Sequence, residues 1–323
     1  MNLFEISIIL VFNFISYFIL KFKIYPILIL DLPDSKRKKH ANPVPKLGII
    51  FFIPFLILIN YSNINFEYNN NFIYFSIILI IFGILDDITS IRWLGRIFFE
   101  FIFVSSFLLI NQEFLLHQIN INNLFLEKIL KFDNTYFYFF FTTFCFVSLV
   151  NALNFFDGIN NQLSNYLILL FLFFYFKTSD LLCLILIINL LIFSFFNYKN
   201  LVFFGSASIY FLTFIIFNFA IFNHNNFSIG ADEILIMLLY PGLDMGRLFF
   251  FRIINKQSPF HADRNHIHHI LNKNFTHKYV LILNIFPVII CLLIIHFENI
   301  SNLYGLVFTI LYYIAVLNFK KKI

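Results

Sequence analysis

Two adjacent carboxylates, Asp86 and Asp87, close an apolar run at residues 72–85 that ends Gly83-Ile-Leu. A charge at the edge of a hydrocarbon-spanning segment costs several kcal/mol unless it finds a partner, so two in succession point to a metal, a proton or a phosphate-bearing ligand. The plainer reading is a solvated helix end. A second polar cluster, Asn151-Ala-Leu-Asn154-Phe-Phe-Asp157-Gly158-Ile-Asn160-Asn161, sets four amides and one acid at the end of another apolar run. If the helix continues through it, Asn151, Asn154 and Asp157 lie on adjoining parts of one face. Gly158 then lets the backbone turn at the helix end. Here the plainer reading is hydrogen-bonding glue between helices.

Two basic loops complete the set. The first reads Asp31-Leu-Pro-Asp-Ser-Lys-Arg-Lys-Lys-His40-Ala-Asn-Pro43-Val-Pro45-Lys46-Leu-Gly48. Its run of basic residues from Lys36 to Lys39 serves equally as a topology anchor. Pro43 and Pro45 fix the backbone and remove donors, which makes a stiff, non-helical approach able to hold His40 and Lys46 at a set depth. The second loop, after Asp244, Arg247 and Arg252, reads Ser258-Pro-Phe-His261-Ala-Asp263-Arg264-Asn265-His266-Ile-His268-His269. No Cys or Glu stands at a companion spacing for zinc. Imidazoles beside Arg264 are better matched to phosphate oxygens. His261 and His277 read as loop residues, and Trp93, between Arg92 and Arg96, as an interface anchor.

The elements that must position these groups are membrane helices. The 323 residues are 60% hydrophobic and 12% charged, with a mean hydropathy of +0.85, far from an average soluble domain. Apolar runs fall near 3–20, 47–60, 72–85, 97–111, 136–153, 163–176, 181–196, 201–222, 232–251, 279–296 and 301–318. They predict an all-α, polytopic integral membrane protein with about 11 transmembrane helices. Several runs are shorter than the roughly 20 residues of a straight span, so their flanks must extend them. The first carries Glu5 and lacks both a basic n-region and a cleavage site, which reads as an anchor and not a removable signal. With no internal repeat and no linker, residues 1–323 read as a single membrane-embedded domain. Cys145, Cys183 and Cys291 lie inside apolar runs without metal or redox spacing.

Lys and Arg favour cytoplasmic loops. With eleven spans and the N-terminus outside, nineteen of the 22 basic residues fall inside, and only Lys128, Lys131 and Lys177 fall outside. Every polar cluster above then faces the cytoplasm, and the Lys320–Lys322 tail with it. A net charge of +5 suits anionic lipid and nucleotide substrates, and nothing suggests nucleic-acid binding.

Taken in order, Asp31-x-Pro, Arg37-Lys38-x-His40, Pro45-Lys46-Leu-Gly48, Gly83-x-x-Asp86-Asp87, Asn151-x-x-Asn154-x-x-Asp157-Gly158 and Pro259-Phe260-x-x-Asp263-Arg264-x-His266-x-His268-His269 form a set spread over residues 31–269. The set resembles the polyprenyl-phosphate N-acetylhexosamine-1-phosphate transferases, the branch of glycosyltransferase family 4 that uses UDP-N-acetylhexosamines. The resemblance implies transfer of a sugar 1-phosphate from a UDP-N-acetylhexosamine to undecaprenyl phosphate at the cytoplasmic face of the plasma membrane. UMP is released, a lipid-linked surface polysaccharide is begun, and Mg2+ is required, with Mn2+ as a substitute and a homodimer as an allowed assembly. By the same resemblance Asp86 is the candidate base or orienter for the lipid phosphate, with Asp87 beside it. Asp157 is catalytic and shares the metal with Asp87. His40, Lys46, Asn151, Asn154, Asp263, Arg264, His266, His268 and His269 bind substrates. The His-Ile-His-His form favours a simple N-acetylhexosamine over a muramoyl-pentapeptide nucleotide.

Four positions depart from the family pattern: Asn160 and Ser206 where relatives carry acids, Ile49 after Gly48 where they carry a second glycine, and Glu100 where they carry Gln. The first two bear on the metal site. Two other classes remain open. A secondary transporter also places polar residues at broken helices, though near the midplane and in inverted repeats. A family member that binds lipid or nucleotide without turnover is favoured by Asn160 and Ser206.

Overall fold

A computed structural model of the chain describes residues 3–33, 42–61, 70–122, 128–131, 134–259, 265–297 and 300–318. Long Leu, Ile and Phe runs in hydrocarbon must satisfy their own backbone groups, and a helix does so within one segment. The described helices are α1 (Leu3–Lys21), α2 (Ile53–Tyr61), α3 (Asn70–Thr89), α4 (Trp93–Ile110), α5 (Thr135–Phe156), α6 (Gln162–Thr178), α7 (Leu181–Tyr198), α8 (Gly205–Asn225), α9 (Ala231–Ile254), α10 (Ile267–Leu271), α11 (His277–His296) and α12 (Asn302–Asn318). Phe14, Phe98, Phe140, Ile282 and Leu311 stand more than half exposed on these helices, which water would penalise and lipid accommodates.

Eight helices, α1, α3, α4, α5, α7, α8, α9 and α11, are long and apolar enough to cross a membrane. The sequence predicts about eleven spans; among the described residues the other apolar runs form shorter helices. The run at 47–60 begins as a 3-10 turn, Gly48–Phe51, leaving nine residues for α2. Helix α6 is 17 residues long and opens on polar Gln162, Ser164 and Asn165, and α12 is also 17. Two short antiparallel ladders, which the helical reading did not foresee, join β1 (Leu30–Asp31) to β2 (Val44–Pro45) and β3 (Gln118–Ile121) to β4 (Lys128–Lys131).

The described residues form two compact units, one from residues 1–92 and 163–214 and one from 93–162 and 215–323. In the first, Asn13 of α1 donates to Asn189 of α7 at 3.1 Å. Phe51, Phe52, Phe193, Phe196 and Phe204 make an aromatic cluster in which the Phe193 and Phe204 rings come within 4.1 Å. Between apolar helices in lipid, small residues allow the close approach that packing requires. Gly83 of α3 does this here, because a Cβ on it would overlap the Ala207 backbone of α8.

In the second unit α9 packs against α5, α11 and α12. Tyr240 of α9 donates to Asn284 of α11 at 3.1 Å, and its ring meets Phe156 of α5 and Tyr313 of α12. At the other end of α9, Asp232 accepts from Asn302 at 2.7 Å and from the Asn122 N–H at 3.1 Å, which anchors the β3–β4 ladder.

Candidate active site

The first unit gathers its polar side chains where α3 ends and α8 begins. Asp86 and Asp87 lie in the last turn of α3, inside the helix. Asp86 is buried at 2% exposure and the Asp87 side chain is 5% exposed, so the solvated helix end does not describe them. One Asp86 oxygen accepts from the Ile91 N–H at 3.1 Å, tying the helix end to the turn that follows. Asp87 accepts from the Ser206 N–H at 2.7 Å and from the Ser206 hydroxyl at 3.1 Å. That places a carboxylate on the first turn of α8, where unsatisfied N–H groups and the helix dipole favour negative charge. Gly205 has φ +70°, and a Cβ on it would press on Asp87 Oδ2 at 2.7 Å, so both backbone and space require glycine there.

Lys46 completes the cluster. Its ammonium lies 3.6 Å from Asp87 Oδ1 and 3.8 Å from Asp31 Oδ1. The proline-stiffened approach is realised as a strand, with Pro45 opposite Leu30 and Val44 opposite Asp31. The Phe203 N–H then donates to Pro45 O at 2.9 Å, and the Gly48 N–H to Phe203 O at 3.0 Å. Lys46 is thereby fixed beside Asp87. His40 lies outside the described residues.

The second unit assembles the amide cluster and the histidines. Helix α5 runs to Phe156 with Asp157 as its C-cap, so Asn151, Asn154 and Asp157 do share one helix end. The Asn151 amide donates to Glu100 at 3.0 Å and to Val147 O at 2.8 Å. Asn154 and Asp157 are half-buried. The left-handed residue of this turn is Asn161, at φ 63°. Gly158 is needed for a different reason, since a Cβ on it would overlap the His268 ring.

His266 is 8% exposed, pairs through Nδ1 with Asp244 at 3.0 Å, and packs against Phe155. His268 is 1% exposed and stacks on His266, with neither ring nitrogen hydrogen-bonded among the described residues. His269 is half-buried beside it. Asp263 and Arg264 lie outside the described residues. Sequence reasoning gave no role to Asp244, Arg247, Tyr313 or Asp31, all of which contribute to these clusters. Spacing offered no signal for Tyr313, which reaches its partners from α12.

Burial pushes the His268 imidazole well below the usual histidine range, helped by His269 and His266 and opposed by Asp244. A folded pKa below the ordinary 6.5 means that the closed loop holds no proton while an opened loop takes one as pH falls through that value. The closed form is therefore fully stable above about pH 6.5 and loses stability below it. Hydrogen exchange at Ile267–Leu271, corrected for intrinsic rates, is expected to report more frequent opening at pH 5.5 than at pH 7.5. His268→Gln should abolish the difference; an unchanged difference in that variant would assign it elsewhere.

Both clusters join acids to cations or imidazoles at helix ends, as chemistry on phosphate requires. Residues 71–224 match the model of glycosyl transferase family 4. Members of that family are membrane-associated polyprenyl-phosphate sugar-1-phosphate transferases, and the match supports a transferase. The matched stretch, a little under half of the chain, holds Asp86, Asp87, Asn151, Asn154, Asp157 and Ser206 and ends before α9 and the histidine loop. No curated protein matches the chain.

Glycosyl transferase family 4 enzymes are in general dependent on a divalent metal. Among the described residues no three His, Cys, Asp or Glu side chains form a group able to hold one. Magnesium needs only one or two carboxylates, with water and phosphate oxygens in its other positions. Asp87 gives Ser206 two of about four acceptor positions on its carboxylate. As a hard oxygen donor with acceptor capacity remaining, it fits that requirement.

Proposed function

We propose that the protein transfers N-acetylhexosamine 1-phosphate from a UDP-sugar to undecaprenyl phosphate at the cytoplasmic face of the plasma membrane, so beginning a lipid-linked polysaccharide. The observation that carries this reading is the Lys46–Asp87–Ser206 cluster at the junction of α3 and α8, two helices that fall in the stretch matched to glycosyl transferase family 4. In the reaction an oxygen of the lipid phosphate forms a bond to the sugar-bearing phosphorus. The bond from that phosphorus to the bridging oxygen breaks, and UMP leaves with its electron pair.

Such a transfer depends chiefly on positioning and charge neutralisation. Asp86 orients the lipid phosphate and accepts any proton it carries. Lys46, directly after the Val44–Pro45 strand, offsets phosphate charge at a fixed depth. Asn151 and Asn154, from one turn of α5, hold the nucleotide sugar, and Arg264 with His266, His268 and His269 grips its diphosphate. Mg2+, when bound, would neutralise charge on the diphosphate, and Asp87, with acceptor positions left over, is a residue to hold it. Lys and Arg asymmetry supports the orientation with these loops inside.

The test is a panel of UDP-N-acetylhexosamines and UDP-hexoses offered with undecaprenyl phosphate to the purified chain, with lipid product and UMP both measured. Product is expected from at least one N-acetylated donor and little from the hexoses. Nucleotide binding without product from any donor, at any magnesium concentration, would favour the non-catalytic reading that Asn160 and Ser206 suggest.

A further inference from the structure

Asp244 lies in α9, outside the matched stretch, and gathers more hydrogen bonds than any role as a helix residue requires. It accepts from His266 Nδ1 at 3.0 Å, the Ile267 N–H at 3.2 Å, Arg247 at 2.9 Å and the Tyr313 hydroxyl at 2.9 Å. Three of these bonds converge on Oδ1, and His266 takes Oδ2. The ring around it closes, because Arg247 Nε donates to the Tyr313 hydroxyl and Arg247 also donates to Asn265 O, both at 2.6 Å. Three consecutive loop residues, Asn265, His266 and Ile267, are thus tied to α9 and α12 through one acid and its two supports.

The consequence for His266 is chemical as well as positional. An acid that only accepts forces the facing ring nitrogen to carry a hydrogen, so Nδ1 is the N–H. Among the described residues the hydrogen bond of the His266 ring is the one through Nδ1, which leaves Nε2 for a ligand. Phe155, tilted against the ring, and His268, stacked on it, help hold its plane, with centroids 5.5 Å away in both cases.

Building on the transferase reading, we propose that Asp244, supported by Arg247 and Tyr313, is a positioning residue for nucleotide-sugar binding. It fixes His266 as the Nδ1–H tautomer and presents Nε2 to a phosphate-bearing ligand. Groups that orient a metal-ligating histidine in this way typically matter by about 10–100-fold when removed, and the same order is expected for a histidine that meets a phosphate.

The experiment uses the full chain in detergent or nanodiscs and two readouts. The first is the 15N spectrum of histidine-labelled protein at pH 8, with His266 assigned by its loss in His266→Gln. The parent is expected to show Nδ1 protonated and Nε2 bare, and Asp244→Asn to shift the ring toward the other tautomer. The second is the KM for the UDP-sugar, expected to rise about 10–100-fold in Asp244→Asn with a smaller change in kcat. Tyr313→Phe should move it the same way by less, and Asp244→Glu should recover part of the loss. An Nε2–H tautomer in the parent overturns the proposal, as does a KM within about threefold of the parent in Asp244→Asn. Loss of thermal stability and of lipid-phosphate affinity in step with the KM change would reduce Asp244 to a structural residue and overturn it too. If the parent shows the Nδ1–H tautomer yet turns over no UDP-sugar, the transferase reading fails while the positioning of His266 stands.

Discussion

Asp86→Asn is expected to insert, purify and melt like the parent while losing turnover by on the order of 10²–10⁴-fold, the range for removing a proton-transfer group. The separation of folding from chemistry rests on the Ile91 N–H, which Asp86 accepts at 3.1 Å. An asparagine Oδ1 can accept the same bond, so the turn after α3 stays in place. What it lacks is the negative charge and the ability to take a proton. Turnover within about threefold of the parent would reject the role, as the expected loss is far larger.

The second large effect is on architecture. Gly83→Ala is expected to lower the melting temperature and abolish turnover together, because the atoms its Cβ would meet are the backbone of Ser206 and Ala207. No rotamer change can relieve a clash with backbone, and overpacking a close contact typically costs about 1–3 kcal/mol. Moving α8 away from α3 also draws Ser206 off Asp87, whose two bonds to it span 2.7 and 3.1 Å. Gly246→Ala is the control. Nothing lies within 4 Å of a Cβ there, and replacing a mid-helix glycine is worth about 0.5–1 kcal/mol in favour of the helix. If the two variants melt alike, the α3–α8 crossing is not the constraint described.

The elements that repeat within one segment were legible in the sequence. Apolar runs located the helices because hydrocarbon selects for composition over a whole span. The spacing of Asn151, Asn154 and Asp157 predicted a shared helix face because helical period is a local property. The prolines predicted an extended approach to Lys46, and Val44–Pro45 adopt it. What sequence could not supply were contacts between distant segments. Asp244 meets His266 across 22 positions and Tyr313 across 69, and no periodicity encodes either pairing. Gly158 was read as a turn residue when its hydrogen-only surface serves the His268 ring. Ser206, a departure from the family's acid that bears on the metal site, donates through both its N–H and its hydroxyl to Asp87. Nor does a run of apolar residues reveal that Gly48–Phe51 winds as a 3-10 turn.

The most direct measurement of the central claim, that a sugar 1-phosphate and not a bare sugar is moved, uses a UDP-N-acetylhexosamine carrying 32P only in the sugar-bearing phosphate. Incubated with the purified chain, undecaprenyl phosphate and magnesium, the label is expected to enter the organic phase as lipid diphosphate sugar, with unlabelled UMP left in the aqueous phase. Label retained on UDP, beside a lipid carrying sugar alone, would contradict the account.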